Sequence, residues 1–532
     1  KITPQQLNGT IEAIPSKSHA HRLLIAQKLA SLQGCGQETP LVIPTFSEDI
    51  DATKGCLTQL DQKLPCFDCR ESGSTIRFMI PVAMALKDEA VFAGSGKLPQ
   101  RPLSPLKEEM ERHGCKFEML TASAQEAAKS SANAVDAANT GCSGSNVDPA
   151  SGRGITSKIC RIQGRLQPGE YRLAGNISSQ FITGLLFALP LLGGDSSLQL
   201  TTKLESAGYV DLTLQVLRKF GIKIREVRER ITEAEGSASQ KLKEAAPSES
   251  SDTHDTSSEN YLIRYEIPGN QIYREPAGLK VEGDWSNAAF WLVAGALGGD
   301  ITCTGLDPDS TQRDKEIITV LEKMGAKVER KNTSYHIAGN GVPLHGETVS
   351  AAQFPDLVPV MAVAMTGASG TSTIADAQRL RIKESDRLAT VCDFLTILGT
   401  NIRQTKDGLI IDENNDCTDP SGPAGHCPAP SLCGGTVSSH NDHRIAMAAA
   451  VASCRADGPV IITGAEAVKK SYPDFFTDFT KLGGKIEILE EFPIEISSSK
   501  VREYCKKGKA VRYLIPDGVV EYIENEGLYV RD

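Results

Sequence analysis

Cationic side chains recur in this chain beside small-residue turns that open apolar helices. Pro15-Ser-Lys-Ser-His-Ala-His-Arg22 runs straight into Leu23-Leu-Ile-Ala26, and His440-Asn-Asp-His-Arg444 runs into Ile445-Ala-Met-Ala448. A helix N-terminus presents unpaired backbone N–H groups and a partial positive charge, so a Lys or Arg beside it makes an anion site. Repetition of the device points to a small polyanion as ligand. The Gly-rich turn Glu71-Ser-Gly-Ser-Thr75 is not a nucleotide loop, because the Gly-Lys-Ser/Thr ending is missing.

The elements that must position these cations repeat. Six segments share a polar or small N-terminal turn followed by an Ala/Gly/Leu-rich helix, starting near Ser18, Ser74, Ser178, Ser286, Asp356 and Asn441. Ser, Asn and Asp are good N-caps, and Ala and Gly let helices pack closely. Three biased segments interrupt the series: Ala/Ser/Asn-rich 121–157, Glu/Ser/Lys-rich 229–260 and Pro/Gly/Cys-rich 414–435, all read as disordered or surface insertions. Without them the starts recur at roughly 55–80 residues, long enough for one supersecondary unit each. Asp211 to Gly221 and Lys315 to Gly325 read as amphipathic helices with a Gly stop, each leading into a strand-like stretch. The unit expected is strand–helix–strand–helix–strand, three per domain, with a boundary just before Val281. Residues 490–532 lie beyond the sixth unit as an appended element.

The bulk numbers fit. A chain of 532 residues implies two or three domains. With 40% hydrophobic and 23% charged residues it has an ordinary globular composition. The net charge of −10 argues against a general nucleic-acid or membrane surface, so an anion cleft must be a concentrated exception. The N-terminal residues have neither a signal core nor transit-peptide character, and a cytoplasmic location is expected. The longest apolar stretch, Phe181 to Leu192, is broken by Gly184 and Pro190 and reads as a buried helix. The 14 cysteines read as scattered free thiols, since Cys66-Phe-Asp-Cys69 has no matching second pair for zinc.

Several rare motifs, in order, resemble those of the 5-enolpyruvylshikimate-3-phosphate (EPSP) synthase family, the 3-phosphoshikimate 1-carboxyvinyltransferases. They are Ser16-Lys-Ser18 with Arg22, Gly73-Ser-Thr-Ile-Arg77, Gln100-Arg-Pro102, Ser178-Ser-Gln180 and Val281-Glu-Gly-Asp284. Pro355-Asp356, Arg381-Ile-Lys-Glu-Ser-Asp-Arg387, Asn441-Asp-His-Arg444 and Lys470-Ser-Tyr-Pro-Asp474 follow. The resemblance runs from about Leu7 to Gly484. It implies an α/β (α+β) enolpyruvyl transferase fold of two lobes, each of three βαβαββ-type units with buried helices and outer sheets. It also implies that the chain starts in the second lobe, giving residues 1–16 and 281–489 to that lobe and 17–280 to the first. Two lobes sharing an anion cleft should close on ligand.

The resemblance implies transfer of the enolpyruvyl group of phosphoenolpyruvate to the 5-hydroxyl of shikimate 3-phosphate, releasing phosphate through a tetrahedral intermediate. Arg forks suit carboxylate and phosphate, and Lys acts as a point charge. By motif position, the phosphoenolpyruvate side takes Lys17, Gly73, Arg101, Gln180, Arg387, Arg444 and Lys470, with Gly73 leaving room for close backbone approach. The shikimate 3-phosphate side takes Lys17, Ser18, Arg22, Ser178, Ser179, Gln180, Ser206, Tyr209, Asp356 and Lys383. Asp356 matches a base for the 5-hydroxyl, and Glu384 the residue that protonates and later deprotonates the methyl carbon. Lys17 is a further acid or base, and the division of roles among the three stays open. His443 reads as a structural or supporting group, and His19 and His21 as surface or lining residues. No metal, organic cofactor, nucleic acid or membrane partner is implied, and a monomer is expected.

Three positions depart from the family pattern. Glu71 and Arg379 stand where Asn is common, and Phe78 where many relatives have Pro. Gly73 suggests that glyphosate competes with phosphoenolpyruvate. Two rival readings are a UDP-N-acetylglucosamine enolpyruvyl transferase and a non-catalytic ligand-binding relative. The Ser178-Ser-Gln180 and Lys383-to-Arg387 motifs weigh against the first, and the full cation set with both carboxylates against the second.

Overall fold

The computed structural model describes residues 1–37, 41, 43, 47–120, 156–230, 261–339, 341, 343–413, 432–489, 498–507, 511, 515, 517–526, 528 and 529. Residues 2–486 are carried by two hydrophobic cores. One gathers buried side chains from Ala20 to Tyr273. The other joins Ile2, Leu7 and Ile11 to side chains from Trp285 to Leu482.

Five four-stranded sheets share one topology, in which the first two strands are parallel and the last two antiparallel. In the first core they are Cys66–Asp68, Glu89–Gly94, Ser157–Gln163 and Lys116–Met119, then Glu170–Leu173, Ser196–Leu200, Tyr261–Ile267 and Arg225–Arg230, each in spatial order. The second core holds Thr348–Ser350, Ser372–Ala375, Leu409–Ile411 and Ile402–Gln404. Its other two sheets are completed by the N-terminus. Asn8–Glu12 pairs in parallel with Asp300–Thr304, and Ile2–Thr3 lies between Val460–Thr463 and Lys485–Ile486. The first core is thus inserted between strand and helix of one unit.

A parallel pair requires a crossover, and here it is a helix. Gly73–Leu86, Ser179–Ala188, Trp285–Ala296, Val358–Met365 and His443–Ala452 make these crossovers and are buried on nearly every face. Helices apolar all round, such as Val358-Pro-Val-Met-Ala-Val-Ala-Met365, have no water-facing side to offer. Close packing has a sequence cause: a Cβ on Gly184 would sit 2.5 Å from the Arg77 carbonyl oxygen of the neighbouring helix.

Six sheet-bearing units were expected. The Lys17–Leu32 and Glu48–Gln59 helices form the sixth helical pair, but no four-stranded sheet accompanies them among the described residues. Most of the three expected insertions lies outside the described residues. Their edges do not, and there the expectation needs correcting. Ser157, Glu229 and Gly435 lie in strands because each pairs in a ladder, with Gly94, Leu262 and Val460. Cys66 is disulfide-bonded, against the expectation of free thiols throughout, whereas Cys69 is free and buried beside Cys56.

Residues Glu487–Asp532, with Lys1, form a separate unit. It contains helices Ser498–Lys506 and Asp517–Asn525 and a small apolar cluster of Val501, Val511, Val520 and Ile523. Among the described residues no helix is long and apolar enough to cross a membrane.

Candidate active site

The buried helices point their N-termini at one cleft, and short polar caps fix each start. Ser16 accepts from the His19 N–H, Ser72 from Thr75, Ser178 from Gln180, Asp284 from Asn287 and Asp442 from Arg444. Such caps satisfy N–H groups the helix cannot, and each is worth about 1 kcal/mol. Because the cap immediately precedes the first turn, Lys17, Ser18, Gly73, Ser179, Gln180 and Arg444 are delivered to the cavity wall.

Asp356 is the knot of the second-core side. Arg387 Nη1 donates to its Oδ1 at 2.8 Å, Arg444 Nη2 to its Oδ2 at 3.3 Å, and the Tyr209 hydroxyl to its Oδ2 at 3.1 Å. Lys383 Nζ lies 3.4 Å from Oδ1. Burial pushes the Asp356 carboxyl up, but Arg444, Lys383, Arg387 and the Tyr209 hydrogen bond together hold it well below the usual carboxylate range. Glu384 has the same balance. Burial raises it, yet Arg387 (2.8 Å) and Arg101 (3.6 Å) keep it well below that range and ionised. Arg387, only 1% exposed, also donates Nε–H to Asp442 at 2.8 Å. Asp442 therefore caps one helix and aims the guanidinium of another.

The first-core side is less compensated. Arg22 is buried and donates to Thr213 Oγ1 (2.8 Å), the Ser18 carbonyl (2.6 Å) and the Tyr209 carbonyl (2.9 Å). Its guanidinium lies 5.3 Å from the Phe78 ring centroid, so Phe78 supplies a cation–π face. Burial brings Arg22 down to about 10. Arg77 donates to Gln180 Oε1 at 2.7 Å, and Gln180 Nε2 donates to Ser74 Oγ at 2.8 Å. Burial, with Arg101 nearby, takes Arg77 to about 9. Lys17 Nζ lies 2.9 Å from Asp49. Ser206 has a left-handed backbone (φ 54°) and accepts from Arg379 Nη2 at 3.1 Å.

One cavity is lined by nearly the whole expected set. Lys17, Ser18, Arg22, Gly73, Arg101, Ser178, Ser179 and Gln180 meet Ser206, Tyr209, Asp356, Lys383, Glu384, Arg387 and Arg444 there. Lys470 is not in that wall. Its ammonium donates to Glu71 Oε2 at 2.7 Å and to the Asn441 carbonyl at 2.8 Å. Gly73 makes room for a side chain of the protein itself, since a Cβ there would lie 2.5 Å from Arg101 Nη1.

His19 and His21 are not on the surface. Both are buried, with His19 Nδ1 accepting from the Glu282 N–H and His21 Nδ1 bonded to Thr53 Oγ1, while His21 also lines the cavity. A backbone N–H for His19 and a threonine hydroxyl for His21 give the two buried imidazoles polar partners inside the fold. His443 lines the cavity as a neutral imidazole, because burial and then Lys17, Arg444 and Arg387 hold it well below its ordinary value. Asp49, Asp314 and Asp442 escaped sequence reasoning. Each acts through a partner tens to hundreds of residues away, although Asp442 as an N-cap was visible in the Asn-Asp-His-Arg turn.

The described residues hold no group of three or more His, Cys, Asp or Glu side chains that could hold a metal ion. What the arrangement offers is a pocket of fixed cations, whose charges are only partly offset by the ionised Asp356 and Glu384.

Comparison with known proteins places this geometry. Residues 144–263 and 254–479 match the family model of EPSP synthase (3-phosphoshikimate 1-carboxyvinyltransferase). The 3-phosphoshikimate 1-carboxyvinyltransferase of Clostridium perfringens (strain 13 / Type A) is 38% identical over 504 residues, covering 91% of this chain and 98% of its own. That of Clostridium kluyveri is 37% identical, covering 91% and 97%. The solved EPSP synthase of Acinetobacter baumannii superposes with a TM-score of 0.63 at 22% identity, over 92% of this chain and 99% of the other. The enolpyruvyl transferase NikO of Streptomyces tendae does so with 0.57 at 15% identity, over 91% and 97%. The last two similarities concern the fold. The sequence relatives, spanning both cores and the cavity between them, settle the matter: the chain belongs to the EPSP synthase family of 3-phosphoshikimate 1-carboxyvinyltransferases.

Proposed function

We propose that this chain joins phosphoenolpyruvate to the 5-hydroxyl of shikimate 3-phosphate in the cavity described above, releasing phosphate. The observation that carries this reading is the convergence of Arg22, Arg101, Arg387 and Arg444 on one cavity with Asp356 and Glu384. Ser18, Arg22, Ser178, Ser179, Gln180, Ser206, Tyr209 and Lys383 receive shikimate 3-phosphate. Lys17, Arg101, Gln180, Arg387 and Arg444 receive phosphoenolpyruvate, with Lys470 drawn from Glu71 by the incoming anion. Residues 17–280 act as one lobe, 1–16 with 281–489 as the other, and 490–532 as an extension.

The two carboxylates then divide the proton work. Asp356 is ionised and takes the proton of the 5-hydroxyl. Glu384 is ionised only because Arg387 and Arg101 face it. Once phosphoenolpyruvate occupies those guanidiniums, burial raises the carboxyl again and Glu384 can carry a proton to the methylene carbon and later remove one. Lys17 faces the same space and steadies the phosphate. No metal or organic cofactor enters this reaction. Glyphosate, an anion with a similar charge layout, competes for the phosphoenolpyruvate cations. The enzyme works as a cytoplasmic monomer.

Phosphate release by the purified chain tests the reading. Shikimate 3-phosphate with phosphoenolpyruvate gives steady release, and UDP-N-acetylglucosamine in place of shikimate 3-phosphate gives none. The reverse preference would transfer the chain to the other acceptor class.

A further inference from the structure

A carboxylate outside the expected set lies directly behind the site. Asp314, on the Arg313–Glu316 turn, is 2% exposed. Its Oδ2 is 3.3 Å from the Tyr209 hydroxyl, and that same hydroxyl is 3.1 Å from Asp356 Oδ2. A phenol carries one proton. Set between two ionised carboxylates it can donate to one only, leaving the other against a lone pair in a buried place, which is costly. The arrangement is satisfied when the three oxygens share a second proton, so that carboxyl, phenol and carboxylate form a donor chain. From this geometry we infer that Asp314 holds the proton of the acceptor hydroxyl during turnover, receiving it from Asp356 through Tyr209.

This inference rests on the reading of Asp356 as base. The step balances. The substrate O–H bond breaks and an O–H bond forms at Asp356. That proton passes to Tyr209 Oη as the proton already on Tyr209 passes to Asp314 Oδ2. Asp356 is again a carboxylate. When the tetrahedral intermediate collapses, the proton returns along the same path to the departing phosphate. Asp314 touches no reacting atom and acts as a positioning and proton-holding residue.

The surroundings of Asp314 suit a temporary holder. Burial and then the Asp356 charge push its carboxyl up, Arg444 draws it down, Asp284 pushes it up and the Ser286 hydroxyl, 3.2 Å from Oδ1, draws it down, leaving it at about 7. Asp356 lies well below the usual range, so a proton arriving there moves on to Asp314. Tyr209 is pushed well above its ordinary value, first by burial and then by the two aspartates, and keeps its own proton between transfers.

The test is the pH dependence of kcat for phosphate release with both substrates saturating. Asp314 must be ionised to receive, so kcat of the parent rises through the value near 7. Ser286→Ala removes a hydrogen bond to the charged form, and the rise moves to higher pH. Asp314→Asn lowers kcat by about 100-fold, in the range of lost proton-transfer catalysis, and its profile lacks the rise. If Ser286→Ala keeps the parent's midpoint, or Asp314→Asn loses rate without changing the shape of the profile, the relay is wrong. Should Asp314→Asn fail to fold, the Ser286→Ala midpoint alone decides. Asp356→Asn separates the two readings: parental turnover there refutes the base itself, whereas an inactive Asp356→Asn beside an unshifted Ser286→Ala refutes only the relay.

Discussion

Lys470 Nζ and Glu71 Oε2 stand 2.7 Å apart, one residue from each core. The Lys470 ammonium, expected at the ligand, is therefore held by a carboxylate. Its other partner is the carbonyl of Asn441, which has a left-handed backbone with φ 58°. An anion entering the cleft competes with Glu71 for this cation. Glu71→Gln removes the competitor. The KM for phosphoenolpyruvate should fall about threefold, since a single pair between a buried lysine and a partly exposed carboxylate is worth about 1 kcal/mol or less. Steady-state kinetics checks this, and a KM that rises would show that Glu71 positions Lys470 rather than occupying it.

Removing Asp356 exposes the cost of clustering cations. Without its carboxylate, Arg387, Arg444 and Lys383 face one another in a buried place. Asp356→Asn should destabilise the ligand-free protein by about 3 kcal/mol and lower kcat by at least about 100-fold. Inorganic phosphate added to the variant should raise its Tm by more than it raises the parent's, by supplying the missing negative charge. Equal Tm responses would contradict the proposed balance of charges.

Gly73 bears on Arg101. A methyl group at position 73 would displace the Arg101 guanidinium, 2.5 Å from where the Cβ would sit. Because the far end of a long side chain can move, Gly73→Ala should fold normally. Its KM for phosphoenolpyruvate should rise about tenfold, roughly 1.4 kcal/mol of lost binding, while the KM for shikimate 3-phosphate changes little. Kinetics with each substrate varied in turn separates the two.

Acid should weaken the fold before Asp356 and Glu384 are protonated. Burial, reinforced for His19 by Lys219 and Arg22 and opposed for His21 by Asp49, takes both imidazoles from 6.5 to about 3. The folded state keeps them neutral while the unfolded chain binds protons below 6.5. Their stabilisation is complete above 6.5 and is lost as pH falls toward about 3. Asp314, raised to about 7, opposes this, because its contribution falls as pH rises through that value. His19, His21 and His443 each lose roughly 1.4 kcal/mol per pH unit below 6.5, and the raised carboxylates, Asp314 first among them, offset part of that loss. Urea unfolding at several pH values measures it, and a His19→Asn/His21→Asn double variant should flatten or reverse the slope. An unchanged slope would place the histidines elsewhere in the balance.

How much of this could be read from the sequence depended on the range of the interaction. Ser16, Ser72, Ser178, Asp284 and Asp442 cap the very residues they precede, so the helix starts and the cations beside them were legible locally. The Gly and Ala content of those helices likewise announced burial. Pairing across distance was not legible. Nothing in the vicinity of Ile2 shows that it slots between Val460 and Ile486, because a two-residue strand has no periodicity to detect. Asp49 and Asp314 carry no local signal, and only folding brings them to Lys17 and Tyr209. His19 and His21 alternate with small residues as exposed ones would, yet their backbone and hydroxyl partners take them inside.

The structure of the chain bound to shikimate 3-phosphate and glyphosate, a phosphonate stand-in for phosphoenolpyruvate, tests the convergence of cations most directly. It should show Arg101, Arg387 and Arg444 turned from Glu384 and Asp356 onto the glyphosate anion, with Arg22, Ser178 and Ser179 around shikimate 3-phosphate. Ligands bound elsewhere, or these guanidiniums still paired to the two carboxylates beside an occupied cavity, would contradict it.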